Sequence, residues 1–317
     1  MPAAIAHRAF ALRLLGKDCP LGVLLGTEGP DPFMAYGMNP FRKKKDKDAV
    51  NPIGSLMHNT RLAAVYAPML AYAASIPEEK TRTLLLDYME GLLYHFVLDR
   101  KVHPYVFYRT GFDEFGKYGG IAVFYHGAFE SILDRAIAEK EGLPPRSDRA
   151  LPRISDEDLL AISKMWAKGF ERIVPLKETG FAESYRDFQS VMRLLVSKTG
   201  VKRKLFRLLM GKTSKAYSLC LPPSLKPFES LDVLNESHSV WKDPTTLEEY
   251  RKSVEDLFAE AASEQADVLS ILEAAKRGED TKEALTKLEA NNDHDGGIYG
   301  QVKKEYRLCF KEAGIEF

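Results

Sequence analysis

Histidine and carboxylate residues recur at helical spacing in two segments of the chain. His95, Asp99 and His103 stand at i, i+4 and i+8 in YMEGLLYHFVLDRKVHPY. At 3.6 residues per turn, a helix projects all three side chains from nearly the same face. His126 and Glu130 repeat the i, i+4 spacing in YHGAFESILDRA, a spacing that lets two side chains close on one ion. Both segments therefore predict metal ligands.

Three further candidate ligands precede these segments. They are His7 near the N-terminus, Asp31 in the turn-rich run GTEGPDPF, and His58 in IGSLMHNT. With them the candidate donors exceed the three or four protein ligands that one zinc ion takes. Nitrogen and oxygen donors without thiolate favour zinc, with manganese or iron as alternative occupants. Neighbouring dications polarise a phosphoryl oxygen and lower the pKa of a shared water, so the chemistry indicated is phosphoester hydrolysis.

Helices must position these ligands, because apolar residues recur at three-and-four spacing along most of the chain and strand-like alternation is almost absent. We therefore expect an all-α fold. The predicted helices cover residues 3–16, 54–75, 79–103, 119–141, 155–173, 183–198, 202–217 and 246–276, with shorter ones near 280–290 and 298–313. Pro77 and Pro104 supply stop signals for two of them.

The segment from Gly142 to Pro152 combines prolines with charged residues and is the best candidate for a linker. It separates a histidine-rich part of the chain from a histidine-poor part. We therefore expect a metal-binding helical core over residues 1–143 and a helical C-terminal part over residues 144–317 that packs on this core.

The overall composition excludes several classes of protein. The chain has 45 Lys and Arg residues against 45 Asp and Glu residues, which argues against a surface built wholly for nucleic acid. Three widely separated cysteines favour a reduced compartment rather than a disulfide framework. Neither a signal peptide nor a transmembrane segment is indicated, so we expect a cytoplasmic protein.

Charge is unevenly distributed despite this balance. From Arg193 to Lys215 there are eight basic residues and no acid, whereas acids predominate from Glu248 to Asp295. One interpretation is that the two segments are solvated faces or attract each other. The other is that the basic amphipathic stretch VKRKLFRLLMGK makes a peripheral contact with anionic phospholipid or nucleic acid.

The ordered set of candidate ligands resembles the zinc-dependent phospholipase C family, which is related to S1/P1 nucleases. The resemblance covers about residues 1 to 135. Its elements are His7, Asp31 in a GPD turn, His58, HxxxD at His95 and Asp99, His103, and HxxxE at His126 and Glu130. The resemblance implies a phospholipase C/P1 nuclease-like helical bundle with additional C-terminal helices, and two to three zinc ions at the bottom of a cleft.

The resemblance also implies how the ligands divide among the ions. The ligands would be Asp31, His58, His95 and Asp99 for the first zinc, Asp99 and His7 for the second, and His103, His126 and Glu130 for the third. Asp99 would bridge two ions, and Asp31 would orient the attacking water or act as its general base. Secreted members complete the second site with an N-terminal tryptophan. Here Pro2, after removal of Met1, would offer its amine instead.

The expected function is therefore zinc-dependent hydrolysis of a phosphodiester or phosphomonoester, with phospholipid, nucleotide and single-stranded nucleic acid all open as substrates. The competing class is a non-catalytic protein whose metal-stabilised helical core serves as a scaffold or binding surface. An HD-type phosphohydrolase ranks last, because the only adjacent His-Asp pair, His294 and Asp295, lies in a glycine-rich turn. We expect His294 to be exposed to solvent.

Overall fold

The computed structural model describes residues 4–38, 47–58, 60–113, 115 and 119–315. In the helix over residues 47–58, the side chains at 47–49, 51, 52 and 58 lie outside this description. Regular structure in the described residues is almost entirely helical, which confirms the predicted all-α class. None of the described helices combines the length and the apolar composition that a membrane span requires.

Six helices and one 3₁₀ turn make up the described part of the N-terminal half. They are α1 (Ala4–Leu15), α2 (Leu21–Gly26), the 3₁₀ turn (Asp31–Ala35), α3 (Lys47–His58), α4 (Leu62–Ser75), α5 (Glu79–Thr110) and α6 (Gly120–Lys140). The helix predicted over 54–75 is thus divided into α3 and α4, and α2 lies where no helix was predicted.

The central helix α5 is longer than predicted. It begins where the side chain of Glu78 accepts hydrogen bonds from the amides of Lys80 (3.0 Å) and Thr81 (2.6 Å). The prediction that it ends at residue 103 is wrong, because Pro104 lies inside the helix. Pro104 has no N–H for a bond to the carbonyl of Arg100, but its surroundings are well packed and the helix continues for almost two turns.

Elements of the C-terminal half are shorter. They are α7 (Ser147–Ala150), α8 (Asp156–Phe170), α9 (Gly180–Leu195), α10 (Val201–Met210), α11 (Lys215–Ser218), a 3₁₀ turn (Lys226–Leu231), β1 (Trp241–Lys242), β2 (Glu249–Tyr250), α12 (Val254–Ala262), α13 (Gln265–Lys276), α14 (Lys282–Glu289) and α15 (Cys309–Glu312). The two strands pair antiparallel, with Trp241 opposite Tyr250.

Three predicted C-terminal helices need correction. The helix predicted over 202–217 is divided at Gly211, which has a φ of 96°. Glycine adopts this φ readily, whereas other residues adopt it only with strain. The helix predicted over 246–276 begins with β2 and is divided between α12 and α13. In the segment predicted as helix over 298–313, only the last residues are helical. Its backbone instead pairs with other segments, as where Arg307 N donates to Tyr108 O (2.8 Å).

The apolar core is shared by the two predicted parts of the chain. One cluster of buried side chains includes Phe10 and Phe129 from the first part and Trp166 and Phe258 from the second. The indole Nε1 of Trp166 donates a hydrogen bond of 2.7 Å to the hydroxyl of Tyr88 on α5. The boundary near residue 143 stays a prediction, while the helices on either side of it pack around α5.

Glycines allow α2 to lie against α5 at backbone contact distance. A Cβ atom at Gly91 would overlap the carbonyl of Val23, and one at Gly26 would overlap the carbonyl of Tyr88. Because glycine has no side chain, these two positions let the helices approach closely, and any other residue there would force them apart. This packing brings the end of α2 over His95 of α5, whose Nδ1 lies 3.0 Å from the carbonyl oxygen of Thr27.

Candidate metal centre

The three polar residues of the α5 stripe are buried side by side, as their spacing predicted. The exposed fractions of His95, Asp99 and His103 are 1%, 5% and 6%. Nε2 of His95 lies 2.9 Å from Oδ2 of Asp99, and Nδ1 of His103 lies 3.8 Å from Oδ1 of Asp99. Burial of polar side chains costs free energy unless they have partners. These three side chains therefore need hydrogen-bonding, ionic or metal partners inside the protein.

A first group of candidate ligands forms where α1 meets α5. Nε2 of His7 lies 3.0 Å from Oδ1 of Asp99, and the ring of His7 stacks on the ring of His95 with centroids 4.2 Å apart. One ligand atom from each of these three residues lies within 4.8 Å of the others. Nδ1 of His7 is buried without a hydrogen-bond partner among the described residues. The group therefore offers donors that a cation would satisfy.

A second group forms where α5 meets α6. Nε2 of His126 lies 3.1 Å from Oε1 of Glu130, and Nε2 of His103 lies 3.4 Å from the same oxygen. The ligand atoms of these three residues also fall within 4.8 Å of one another. Two imidazoles and one carboxylate form a donor set of the kind found in zinc sites.

Asp99 joins the two groups. Its Oδ1 lies between Nε2 of His7 and Nδ1 of His103. A cavity of about 10 Å³, room for roughly one water, is lined by His7, Asp99, His103 and Glu130 together with apolar side chains such as Phe258. The two buried groups can each hold a metal ion, and they lie side by side.

Backbone carbonyl groups orient one histidine in each group. Nδ1 of His95 lies 3.0 Å from the carbonyl oxygen of Thr27, and Nδ1 of His103 lies 3.3 Å from the carbonyl oxygen of His294. A histidine whose Nδ1–H donates to a carbonyl keeps a lone pair on Nε2, the arrangement typical of metal-bound imidazole. Nε2 of His95 faces Asp99, and Nε2 of His103 faces Glu130. The residues present therefore fit a divalent cation.

The turn after α2 is shaped to lie on His95. Gly29 has φ +57°, and a Cβ atom there would overlap the imidazole of His95. The same turn carries the carbonyl of Thr27 on one side and Asp31 on the other. A residue with a side chain at position 29 would push the turn away from the imidazole that it orients.

Asp31, the predicted general base, is buried at the start of its 3₁₀ turn. Burial lowers the pKa of His7, and the negative charge of Asp31 acts in the opposite direction. Burial also acts to lower the pKa of His95, but Asp99 and then Asp31 raise it above its ordinary value. Asp31 therefore lies within electrostatic reach of the first group without belonging to either close group of ligand atoms. Its catalytic role stays a prediction.

Histidines control the ionisation of Asp99. Burial alone would raise the pKa of this carboxyl group. His103, His95 and His7 outweigh burial and hold the pKa well below its usual range. The pKa of His7 itself is lowered, because it is buried and close to His95. Asp99 is thus ionised at neutral pH, the state in which a carboxylate binds metal.

The second group shows the same mutual effect. Burial would lower the pKa of His103, but Asp99 and Glu130 raise it to about 10. Burial would raise the pKa of Glu130, whereas the positive charges around it, including those of His126 and His103, hold it well below its usual range.

The turn containing His294 and Asp295 completes the surroundings of His103, and the sequence analysis missed its role. His294 is fully buried, so the expectation that it is exposed was wrong. Its ring packs against Phe96 with centroids 4.9 Å apart, and Oδ1 of Asp295 lies 3.8 Å from Nδ1 of His103. The sequence signal was the His294-Asp295 pair itself.

Glycine allows this turn to reach α5. Gly296 has φ +73°, and a Cβ atom there would overlap the carbonyl of Arg100 and approach the ring of Pro104. The turn thus docks at the one point of α5 where a backbone carbonyl has lost its helical partner to proline. This contact sets His294 and Asp295 beside His103.

An acid on α6 holds α1 in place. Asp134 accepts hydrogen bonds from the backbone amides of Ile5 (3.2 Å) and Ala6 (2.9 Å). These amides belong to the first turn of α1, which has no helical acceptors of its own. With His126 and Glu130, Asp134 continues the i, i+4, i+8 stripe of α6. One face of this helix therefore carries two candidate ligands and the anchor for the helix that carries a third.

Two predicted ligands lie outside the described residues. These are Pro2 and the side chain of His58, the last residue of α3, which is described as backbone alone. Their assignment to zinc stays a prediction.

Comparison with known proteins adds no relative to this description. No family model, no curated protein and no solved structure matches the chain. The resemblance to the zinc-dependent phospholipase C family therefore stays a prediction, and it depends on the order and spacing of the ligand residues themselves.

Proposed function

We propose that this protein is a metal-dependent phosphoester hydrolase that uses zinc. The observation that carries the proposal is the position of Asp99. One of its oxygens lies 3.0 Å from His7 and 3.8 Å from His103, and the other lies 2.9 Å from His95. A carboxylate shared between two adjoining groups of nitrogen and oxygen donors supports a site with more than one ion, whereas a purely structural zinc site needs a single closed tetrahedron.

The two groups would hold the ions as follows. His103, His126 and Glu130 would bind one, and His7, His95 and Asp99 would bind the neighbouring one or two, with Asp31, His58 and Pro2 as the remaining predicted ligands. Bound zinc supplies positive charge for the phosphoryl oxygens and lowers the pKa of water towards neutrality. Asp31 would orient this water and accept its proton. The carbonyls of Thr27 and His294 would keep the imidazoles in the tautomer that binds metal.

Lys215 of α11 is a cation of the chain that lies within electrostatic reach of the centre. The side chain is at the surface, yet the protein around its ammonium group lowers its pKa, with Asp31 and Glu130 acting in the opposite direction. An anionic substrate group that approaches the centre would meet this charge.

Metal analysis and a generic phosphodiester test the proposal together. Untagged protein is stripped with a chelator, reloaded with zinc, manganese or iron, and assayed with bis(p-nitrophenyl) phosphate. We expect zinc-loaded protein to turn over, and Asp99→Asn to lose metal and activity together. Asp267→Asn, an exposed site on α13, is the matched control and should retain both. Turnover by Asp99→Asn equal to that of the unchanged protein, or no turnover by protein with full metal content, would contradict the proposal.

One observation favours the alternative of a metal-stabilised scaffold. All six residues of the two groups are buried, and the cavity between them is no larger than about one water. A scaffold would gain thermal stability from zinc, because a ligand that binds only the folded state stabilises it, but it would show no turnover on any phosphoester. The same reloaded protein therefore distinguishes the two functions.

A further inference from the structure

The helix α10 exposes an unusual amount of apolar surface. None of its ten residues is buried. The most exposed apolar side chains are Leu208 (79%), Leu209 (71%), Val201 (65%), Met210 (60%) and Leu205 (46%). Exposed apolar side chains gathered on one element mark a surface that contacts something else.

An ordinary surface helix turns its apolar face toward the core, whereas α10 turns its apolar face toward solvent. Its polar residue Arg203 faces the body of the protein, where Nε donates to the carbonyl of Cys220 (3.1 Å) and the guanidinium lies 4.3 Å from the ring centroid of Tyr217. Val201, Leu205 and Leu208, at i, i+4 and i+7, lie on the opposite face of the helix. Packing of the arginine inward therefore turns the apolar row outward.

Basic residues border this apolar row. On a helical projection, Lys202 lies beside Leu209 at one edge of the row, and Lys204 lies beside Leu208 at the other. The whole surrounding segment from Arg193 to Lys215 contains no acid. Apolar residues flanked by lysines are the pattern of helices that lie in the interface of an anionic membrane, with their leucines among the acyl chains and their ammonium groups at the phosphates.

Two other occupants fit these observations less well. Nucleic acid would engage the basic residues but would leave the row of leucines in water, since phosphate contacts need charge and not aliphatic side chains. A second copy docked through the same helix would set one basic border against another, because a two-fold contact pairs each surface with itself. An anionic lipid surface accounts for the apolar row and the charges together.

We propose that α10 is a membrane-docking helix, which lies flat on an anionic phospholipid surface with Val201, Leu205, Leu208 and Leu209 inserted. Glycines with positive φ, Gly200 and Gly211, bound the helix on both sides. The proposal concerns the helix surface alone and does not depend on metal or on catalysis.

Packing connects this surface to the helix that carries two candidate ligands. Tyr217, which contacts Arg203 of α10, stacks on Phe124 of α6 with centroids 6.1 Å apart. Phe124 precedes His126 by two residues. The inward face of α10 is therefore connected through Tyr217 to the start of α6.

Vesicle binding in the presence of a chelator tests the proposal without involving the metal centre. Metal-free protein is mixed with vesicles of phosphatidylcholine alone or with about 30 mol% phosphatidylserine, and bound protein is measured by co-flotation. We expect binding to the anionic vesicles only, weakened as salt increases. Leu208→Glu with Leu209→Glu should reduce binding about tenfold or more, because two inserted side chains are lost and two negative charges are added.

One matched variant and four further measurements make the outcome decisive. Leu269→Glu on α13, another exposed leucine, should bind vesicles as the unchanged protein does. The Leu208 and Leu209 sites are exposed, so circular dichroism and the melting temperature of the double variant should be unchanged. Equal vesicle binding by the double variant, or none by the unchanged protein, would overturn the proposal. So would retention on single-stranded oligonucleotide in place of vesicles, or a dimer in sedimentation velocity that the double variant abolishes.

Discussion

The carboxylate of Asp134 accepts a hydrogen bond of 2.9 Å from the backbone amide of Ala6, which precedes it by 128 residues. A second bond, from Ile5, uses the other carboxylate oxygen. Since His7 follows directly on α1, Asp134 fixes a candidate ligand of the first group from the helix that bears His126 and Glu130 of the second group. We therefore expect Asp134 to act as a positioning residue for the candidate metal centre.

We expect Asp134→Ala to lose the metal of the first group and to keep the metal of the second. The change leaves two buried amides without acceptors, which costs about 1–3 kcal/mol each in the free energy of unfolding. Metal content per chain and urea unfolding measure the two effects. Ser253→Ala is the control, because it removes a helix cap of about 1 kcal/mol on α12 without touching α1. A full metal complement in Asp134→Ala would disprove the positioning role.

Gly29→Ala should weaken metal binding by the first group, because it would displace the imidazole of His95. The new Cβ atom would overlap that ring, and φ +57° is unfavourable for alanine. We expect zinc binding by the first group to fall and the protein to lose more than the roughly 1 kcal/mol that φ alone costs. Gly16→Ala separates the two causes, because Gly16 has φ +78° with nothing within 4 Å of its Cβ position. It should destabilise the protein modestly and leave zinc binding unchanged.

Asp295→Ala should weaken metal binding by the second group, although Asp295 is not one of its three candidate ligands. Asp295 lies 3.8 Å from Nδ1 of His103, on the side of the imidazole away from Glu130. Residues that support a metal-binding histidine typically contribute about 10- to 100-fold to metal affinity. Competition with a chromophoric chelator would measure the change, with Asp267→Asn as the control for loss of an exposed carboxylate. An affinity within about twofold of the unchanged protein would show that the carbonyl of His294 alone suffices.

The raised pKa of Asp87 predicts that the stability of the protein depends on pH. Asp87 is not one of the candidate metal ligands. Burial, followed by the nearby charge of Glu90, raises its pKa to about 6. Because this pKa exceeds the value of about 3.9 in the unfolded chain, the folded state binds more protons, and stability falls as pH rises from about 4 to about 6. In metal-free protein, Asp87→Asn should therefore be more stable than the unchanged chain at pH 7 and equal to it below pH 4. Urea midpoints at both values provide the measurement, and an equal difference at both would exclude this explanation.

The helical class and the pairs within single helices could be predicted from the sequence. His95 with Asp99, and His126 with Glu130, are brought together by the backbone geometry of one helix, so their spacing alone indicates the contact. The burial of His294 could not be predicted in this way. Its contact with His103 spans 191 residues and depends on Pro104 and Gly296, neither of which shows in a periodic pattern.

The helix ends that were predicted wrongly are also determined by contacts distant in sequence. Pro104 was interpreted as a stop signal because proline ends most helices, yet the turn at Gly296 packs against it and α5 continues to Thr110. Residues 298–308 have helical periodicity but bond to Tyr108 and Pro244 in other segments. In both places contacts distant in sequence outweigh the local preference.

The contact between His103 and the carbonyl of His294 also constrains the order of events during synthesis. The candidate ligands of both groups are translated by residue 130, but the acceptor that orients His103 follows only about 160 residues later, which takes roughly 8 to 33 seconds at elongation rates of about 5–20 residues per second. A nascent chain that captures zinc during this interval would hold it with an unanchored imidazole. Full retention of the ion would begin only once the turn at Gly296 has closed over α5.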